Sequence, residues 1–313
     1  MDPALQPYSL MKKTYAILGA TGKIGHVLTE ELLSKGHLVR AIGRSPAKLK
    51  RLEELGAEIH PLSRFDDSAR MSESFRGADG VFALIPPDMT TGNYLAYQEK
   101  VGEAIRDAIR DSGVLSVVSL SSVGAQTDRD NGPIRGLHAQ ELRLSELKGV
   151  NILHLRPVYF MENTLYNVDL IRAIGAMGSA IRRDVPLQMI ATRDIAAKAA
   201  ELLQAGFDGH SVFELFGPAP VTFDHVAEAF GDAIGKPDLK YIEFSYEEAR
   251  KGILDSGLTA DAADLLIEMD RSLNEGKIQP TQQPTPQHRG STTIEEFAPV
   301  FAEAFSQPKG QAA

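Results

Sequence analysis

The chain has 313 residues, 43% of them hydrophobic, and no cysteine. That is enough for one large α/β domain or two modest ones, and the missing cysteines exclude disulfides, thiolate metal sites and cysteine nucleophiles. Lys and Arg number 33 against 42 Asp and Glu, a formal charge of −9, which argues against a broad nucleic-acid surface because phosphate binding needs clustered cations.

Residues 1–13, MDPALQPYSLMKK, lack the apolar core of a secretory signal and read as a disordered leader, with an upstream start before Met11. No apolar run approaches the roughly 20 residues of a membrane span, so a cytoplasmic protein is expected. From residue 15 onward one rhythm repeats: a short β-rich apolar run, a Gly, Pro or Ser break, then an amphipathic helix, the pattern of βαβ units. Strands are expected at 15–18, 38–42, 57–60, 80–85, 115–120 and 151–155. Ile24, Val27, Leu28 and Leu32 make one helical stripe that Gly36 ends. Ser45-Pro46 is an N-cap with proline at the first helical position, and that helix runs to Leu55 before Gly56. A longer helix at 93–111 presents Val101, Ile105, Ala108 and Ile109 on one face and stops before Gly113. Beyond Arg156 the rhythm loosens. Strands are expected at 189–192 and 213–216 with a helix at 194–204 between them, then helices at 223–235, 245–252 and 260–274. The stretch IQPTQQPTPQHRGS reads as loop, 293–305 as a terminal helix and SQPKGQAA as a frayed end.

The first strand runs into YAILGATGKIG, a G-x-x-G-x-x-G spacing. A helix N-terminus offers a pyrophosphate unpaired N–H groups and the positive end of a dipole. Gly19 permits the tight turn, Gly22 lets the backbone reach the ligand and Gly25 lets the helix pack on the strand; Thr21, Lys23 and Ile24 complete the loop. A lone glycine motif is a weak signal, but this one follows the first strand, opens a helix and heads a series of βαβ units. Turn geometry without a ligand is the alternative. An NAD site usually ends the second strand in Asp or Glu for the ribose 2′-hydroxyl, whereas LVRAIGR holds no acid, and Arg44, aided by Lys48 a helical turn on, suits a 2′-phosphate. The expected cofactor is therefore NADP, as NADPH. The fold class implied is α/β, a Rossmann-type doubly wound parallel sheet over 14–157 to which 186–220 returns, with a smaller, mostly helical substrate lobe in 158–308 and a disordered tail at 309–313.

GATGKIG, the GR after the second strand, SLSSVGA, LRPVYFMEN, ATRDIA, FGPAPVTF and TTIEEFA together carry a resemblance. From Tyr15 to about Phe305 the chain resembles the NmrA-like atypical short-chain dehydrogenase/reductases, which include NADPH-dependent quinone reductases, a triphenylmethane-dye reductase and redox-sensing regulators. The resemblance implies a pyrophosphate over residues 19–25 and an adenosine near Arg44. It implies a nicotinamide framed by Leu84, Ile85, Pro86 and Pro87, by Ser119, Leu120 and Ser121, and by Pro157, Val158, Tyr159 and Phe160. Ser63-Arg64 stands where family members often show an Asp near the adenine. Pro87 and the run Tyr159, Phe160 and Met161, with Leu165 and Tyr166, would wall a flat hydrophobic substrate, and Tyr94 and Tyr97 would line the pocket mouth; core packing is the alternative.

Typical short-chain dehydrogenases carry Tyr-x-x-x-Lys on the helix after the fifth strand, the Tyr donating a proton while the Lys lowers its pKa. Counting back from Gly149, Ile134 takes the tyrosine position and His138 the lysine position. That removes ordinary alcohol dehydrogenases and sugar-nucleotide epimerases, and leaves hydride transfer to acceptors already strongly electrophilic, where positioning supplies most of the catalysis. His138 stands where the resembling quinone and dye reductases carry a histidine and is the catalytic candidate, donating a hydrogen bond or a proton, or else a structural bond. The histidines form no metal spacing, and no metal is expected. Glu162-Asn163 reads as a polar hinge of the lobe and Asp194 as a cap or first-turn acid. The expected function is an NADPH-dependent oxidoreductase for a quinone-like or otherwise electron-poor small molecule, monomeric or homodimeric, with neither nucleic acid nor membrane as partner. The alternative is a non-catalytic NADP(H)-binding redox sensor acting through a protein partner.

Overall fold

The computed structural model describes residues 12–308. Its first half alternates strand and helix: β1 (Thr14–Leu18), α1 (Lys23–Ser34), β2 (Leu38–Gly43), α2 (Pro46–Glu54), β3 (Glu58–Pro61), α3 (Ser68–Phe75), β4 (Gly80–Ala83), α4 (Tyr94–Ser112), β5 (Ser116–Leu120), α5 (Arg135–Ser145) and β6 (Asn151–Pro157). Helix boundaries follow local chemistry. The Ser45 hydroxyl accepts from the Lys48 N–H ahead of α2, and Gly113 closes α4 at a φ of 73° that a side chain would strain. The sequence reading missed α3, although Asp67 caps it and Met71 and Phe75 repeat on its buried face. The fourth strand stops at Ala83, short of the expected 85, ahead of Pro86-Pro87, which have no N–H to give a ladder. Most of the expected leader and the whole expected tail fall on residues 1–11 and 309–313, outside the described residues. Lys13 is already engaged: its carbonyl accepts from Leu38 N at 2.9 Å.

Past β6 come β7 (Tyr159–Phe160), a 3₁₀ turn (Met161–Tyr166), α6 (Asn167–Ile174), β8 (Met177–Ser179), β9 (Leu187–Ile190), α7 (Thr192–Ala205), β10 (His210–Leu215), β11 (Pro220–Val221), α8 (Phe223–Ala233), β12 (Tyr241–Glu243), α9 (Tyr246–Asp255), α10 (Ala260–Asn274) and α11 (Ile294–Ser306). Seven strands form one sheet in the order β10-β6-β5-β4-β1-β2-β3, every pair parallel. The chain runs outward from β1 to β3 and then returns to β4 on the other side of β1, so the direction reverses between β1 and β4, where an open α/β sheet leaves a crevice at its carboxyl edge. Alternation along the strands splits the core. Ile17, Val39, Phe82 and Leu155 face Leu28 and Leu32 of α1 and Ile195 and Ala199 of α7. Leu18, Ile42, Val81 and Val117 face Phe75, Ile105 and Leu144 of the α3–α5 layer. A third core of α6, α8 and α11 side chains fills the lobe, with Phe230 stacked on Phe301 at 4.1 Å between centroids. No helix among the described residues is long and apolar enough to cross a membrane.

The β10 edge is held by buried charge. Arg156 of β6 donates to both carboxylate oxygens of Glu141 on α5, at 2.8 and 2.5 Å, and lies 3.7 Å from Glu214 of β10. Ser121 completes Glu141 at 2.5 Å. The Pro/Gln-rich loop then covers the edge: Thr281 and Gln282 donate their N–H groups to Glu214, and the Gln282 amide bonds Val212 O and Glu214 N, standing in for an eighth strand. Arg156→Met would leave two carboxylates buried without their cation and should lower stability by about 3–5 kcal/mol, read as a shift of the urea midpoint at unchanged slope.

Candidate functional site

At the crevice, three glycines bring β1 and α1 together. Gly19 holds φ at 75° with Leu84 against it. A Cβ on Gly25 would stand 2.3 Å from the Gly19 carbonyl oxygen, so the helix can approach only because that residue has no side chain. Gly43 leaves room at the end of β2 for the Thr21 side chain, whose Cγ2 would lie 2.9 Å from an added Cβ. α1 has no side-chain cap and no acid in its first turn, whereas α2, α3, α4, α8, α9, α10 and α11 all begin with a side chain accepting a backbone N–H. The N–H groups of Lys23, Ile24 and Gly25 have no acceptor among the described residues. Unpaired N–H groups at a dipole's positive end fit a phosphate.

The cations beyond this turn are also unspent. Lys23, Arg44 and Lys48 are exposed, and none of them pairs with a carboxylate within 4.0 Å among the described residues. Burial, and then the neighbouring Lys48 charge, lower the Lys23 ammonium, while Glu162 acts in the opposite sense. Arg44 lies over the Phe65 ring at 4.9 Å. That contact is worth about 0.5–1 kcal/mol at an exposed site, less than the roughly 1.5–3 kcal/mol of a hydrogen bond to a charged group, so a phosphate would draw the guanidinium off the ring. Arg64, at the position where an acid was missed, is occupied by Asp66, which also pairs with Lys100 at 2.6 Å. Tyr97 donates to Pro86 O at 2.7 Å and joins α4 to the loop after β4. These residues fit a dinucleotide with a 2′-phosphate.

The opposite end of the cleft is aromatic. Pro157 ends β6 and Tyr159 and Phe160 follow, both partly exposed. Leu84 is half-buried, Ile85 and Pro86 are buried and Pro87 is exposed in the loop after β4. Two expected substrate contacts are corrected: Met161 is 1% exposed in the lobe core and Tyr94 is 4% exposed, its backbone N–H held by Asp261 at 2.7 Å, so both serve packing. Ser119, next to last in β5, is 3% exposed. His138 Nδ1 donates to Ala125 O at 2.8 Å. Its ring edges a cavity of about 310 Å³ beside α5, with Leu142, Ser145, His154, His210 and Val212 in the walls. Glu162, read as a hinge, accepts from Thr192 N at 3.0 Å and from its hydroxyl at 2.5 Å, fastening the 3₁₀ turn to α7. Asp194 bonds Thr292 from the first turn of α7.

One group escaped the sequence reading. Burial pushes the Asp270 carboxyl up to about 7, and its charge acts on Tyr159, Tyr166 and Tyr241. Tyr166 keeps 51% of its surface open, yet burial, then Asp270, push its hydroxyl up to about 12. Nothing in ADAADLLIEMDRSLN separates Asp270 from the solvated acids around it.

A phosphate-ready glycine turn at the reversal point of a parallel sheet, with unpaired cations beyond the second strand, defines a dinucleotide-binding protein of the Rossmann class. Residues 11–298 match the NmrA-like family, and the chain belongs to it. It is 25% identical over 293 residues to the NAD(P)H azoreductase of Xenophilus azovorans, covering 92% of this chain and 98% of that one. The NADPH-dependent quinone oxidoreductase of Escherichia coli, solved with NADPH, superposes with a TM-score of 0.75 at 24% identity, over 91% of this chain and 98% of that one. Triphenylmethane reductase of Citrobacter sp. gives 0.74 at 18%, over 93% and 99%. Gly25→Ala should cost about 1–3 kcal/mol of stability, since backbone must move, and weaken NADPH and NADH alike; calorimetric unfolding and binding read both.

Proposed function

We propose that this protein is an NADPH-dependent oxidoreductase that passes hydride to a quinone-like or otherwise electron-poor small molecule. The observation that carries the reading is the pair Arg44 and Lys48, unpaired cations following a second strand without an acid, next to the uncapped start of α1. A bound NADPH supplies the hydride. The chain's own part is to hold and orient: Lys23, Ile24 and Gly25 take the pyrophosphate on backbone N–H groups, Arg44 and Lys48 take the 2′-phosphate, and Tyr159 and Phe160 present an apolar wall that excludes water from a flat acceptor. The names of the azoreductase, quinone oxidoreductase and dye reductase relatives support an acceptor of this class. With neither Tyr nor Lys at residues 134 and 138, the acceptor must be reactive enough to take hydride without the usual acid.

Arg44→Ala should weaken NADPH on the order of 100-fold and leave NADH within about threefold, measured by calorimetry; equal losses would place the 2′-phosphate elsewhere. Oxidation of NADPH followed by its absorbance, across quinones, triarylmethane and azo dyes and enones, tests the reaction. Tight cofactor binding with no turnover on the whole panel would replace the enzyme by a sensor.

A further inference from the structure

The loop that leaves β4, residues 86–93, is fastened to α10 of the lobe. The N–H of Tyr94, the first residue of α4, is one of the donors that a helix start leaves unpaired. Its acceptor is Asp261 Oδ2 of α10, at 2.7 Å. Asn93 takes the Ala96 N–H at 2.9 Å, so α4 begins with one acceptor from its own loop and one from a helix far along the chain, and a carboxylate there also suits the positive end of the α4 dipole. Thr259, the cap of α10, accepts the Ala262 N–H at 3.3 Å and donates its hydroxyl to Thr91 O at 2.9 Å. The Thr259 N–H points at Met89 O, 3.4 Å away. At the strand end of the loop, the Tyr97 hydroxyl holds Pro86 O at 2.7 Å. α10 is itself braced against the segment after β5: Glu268 pairs with Arg135 at 2.6 Å, and a Cβ on Gly132 would fall 2.1 Å from the Leu265 carbonyl oxygen.

Building on the NADPH-dependent reading, we propose that Asp261 and Thr259 are positioning residues of the cofactor site: acting through the Tyr94 N–H and the Thr91 and Met89 carbonyls, they hold the β4–α4 loop where it frames the nicotinamide half of the cofactor. In that reading the 2′-phosphate sits on Arg44 and Lys48 beyond β2 and the pyrophosphate sits at the start of α1. The other half of the molecule then extends to the far side of β1, over β4, the strand that pairs with β1 on that side. The end of β4 already meets the phosphate turn: Leu84 Cδ2 stands 3.1 Å from where a Cβ on Gly19 would be. Attachments at Pro86, Met89, Thr91 and Tyr94 confine a loop that would otherwise spread over many backbone states, so the cost of ordering it is met in folding and not when the ligand binds. Because α10 belongs to the lobe and the loop to the sheet, the latch makes the lobe a part of the cofactor site.

The test compares wild type with Asp261→Ala and Asp261→Asn as whole proteins, by calorimetric binding of NADPH and of 2′,5′-ADP, which carries the adenosine and its 2′-phosphate but no nicotinamide. Asp261→Ala should weaken NADPH about tenfold and leave 2′,5′-ADP within about twofold. Asp261→Asn keeps an oxygen for the Tyr94 N–H and should recover most of the loss. With saturating NADPH, menadione reduction by Asp261→Ala should fall about tenfold in kcat, because a misplaced nicotinamide loses its near-attack geometry, and Asp261→Asn should again recover. Thr259→Val, with Thr259→Ser as its conservative partner, makes the same comparison from the other attachment and serves alone if Asp261→Ala does not fold. The proposal is overturned if the alanine variant weakens NADPH and 2′,5′-ADP equally, as general damage to the fold would, if it weakens neither, or if Asp261→Asn is as impaired as Asp261→Ala. The binding comparison needs no acceptor, so it decides the role of the latch whether or not the protein turns over menadione. A wild type that binds 2′,5′-ADP and NADPH no better than their forms without the 2′-phosphate brings down the NADPH reading and this inference with it; wild-type binding of NADPH that the variants retain unchanged sinks the inference alone.

Discussion

The contact between Gly25 and the Gly19 carbonyl sets the geometry on which the ligand site is built. With α1 that close, its first-turn N–H groups project into the crevice where the chain changes direction between β1 and β4, and the absence of a cap leaves them unpaired. A larger residue would push the helix outward and carry the N–H groups with it. The rest of the crevice is arranged around this point: Leu84 against Gly19, Thr21 over Gly43, and the Arg44 and Lys48 cations one turn of chain further on.

Two devices keep the opposite flank rigid enough to carry a lobe. The Glu141, Arg156 and Glu214 network couples α5, β6 and β10, and it tolerates burial because hydrogen bonds from Ser121, Thr281 and Gln282 satisfy the carboxylates. The Pro/Gln-rich strap uses side-chain amide and main-chain N–H groups to occupy an edge that would otherwise pair with another chain. Since the lobe begins directly after β6 at Tyr159, the aromatic wall is positioned by the same strand that anchors Arg156.

Charge along the cleft is graded. Cations without a carboxylate partner among the described residues gather at the α1 and α2 starts, and the lobe end presents the Tyr159 and Phe160 rings. Such a surface suits a ligand that is anionic at one end and flat and uncharged at the other.

The sequence by itself determined the parallel α/β sheet, the close glycine turn into α1 and the cations that follow β2, because each depends on residues within a few positions of one another: glycines at fixed offsets, a cap followed by proline, an arginine at a strand end. It also marked the Pro/Gln-rich loop as irregular. Short or weakly patterned elements such as α3, α6, β8 and β12 were not legible, since three to eight residues hold too little periodicity. Only the tertiary structure decided that Met161 and Tyr94 are buried, that the His138 ring bonds the Ala125 carbonyl, and that the loop straps β10. Those outcomes depend on desolvation and on partners far away in the chain, and a local pattern encodes neither.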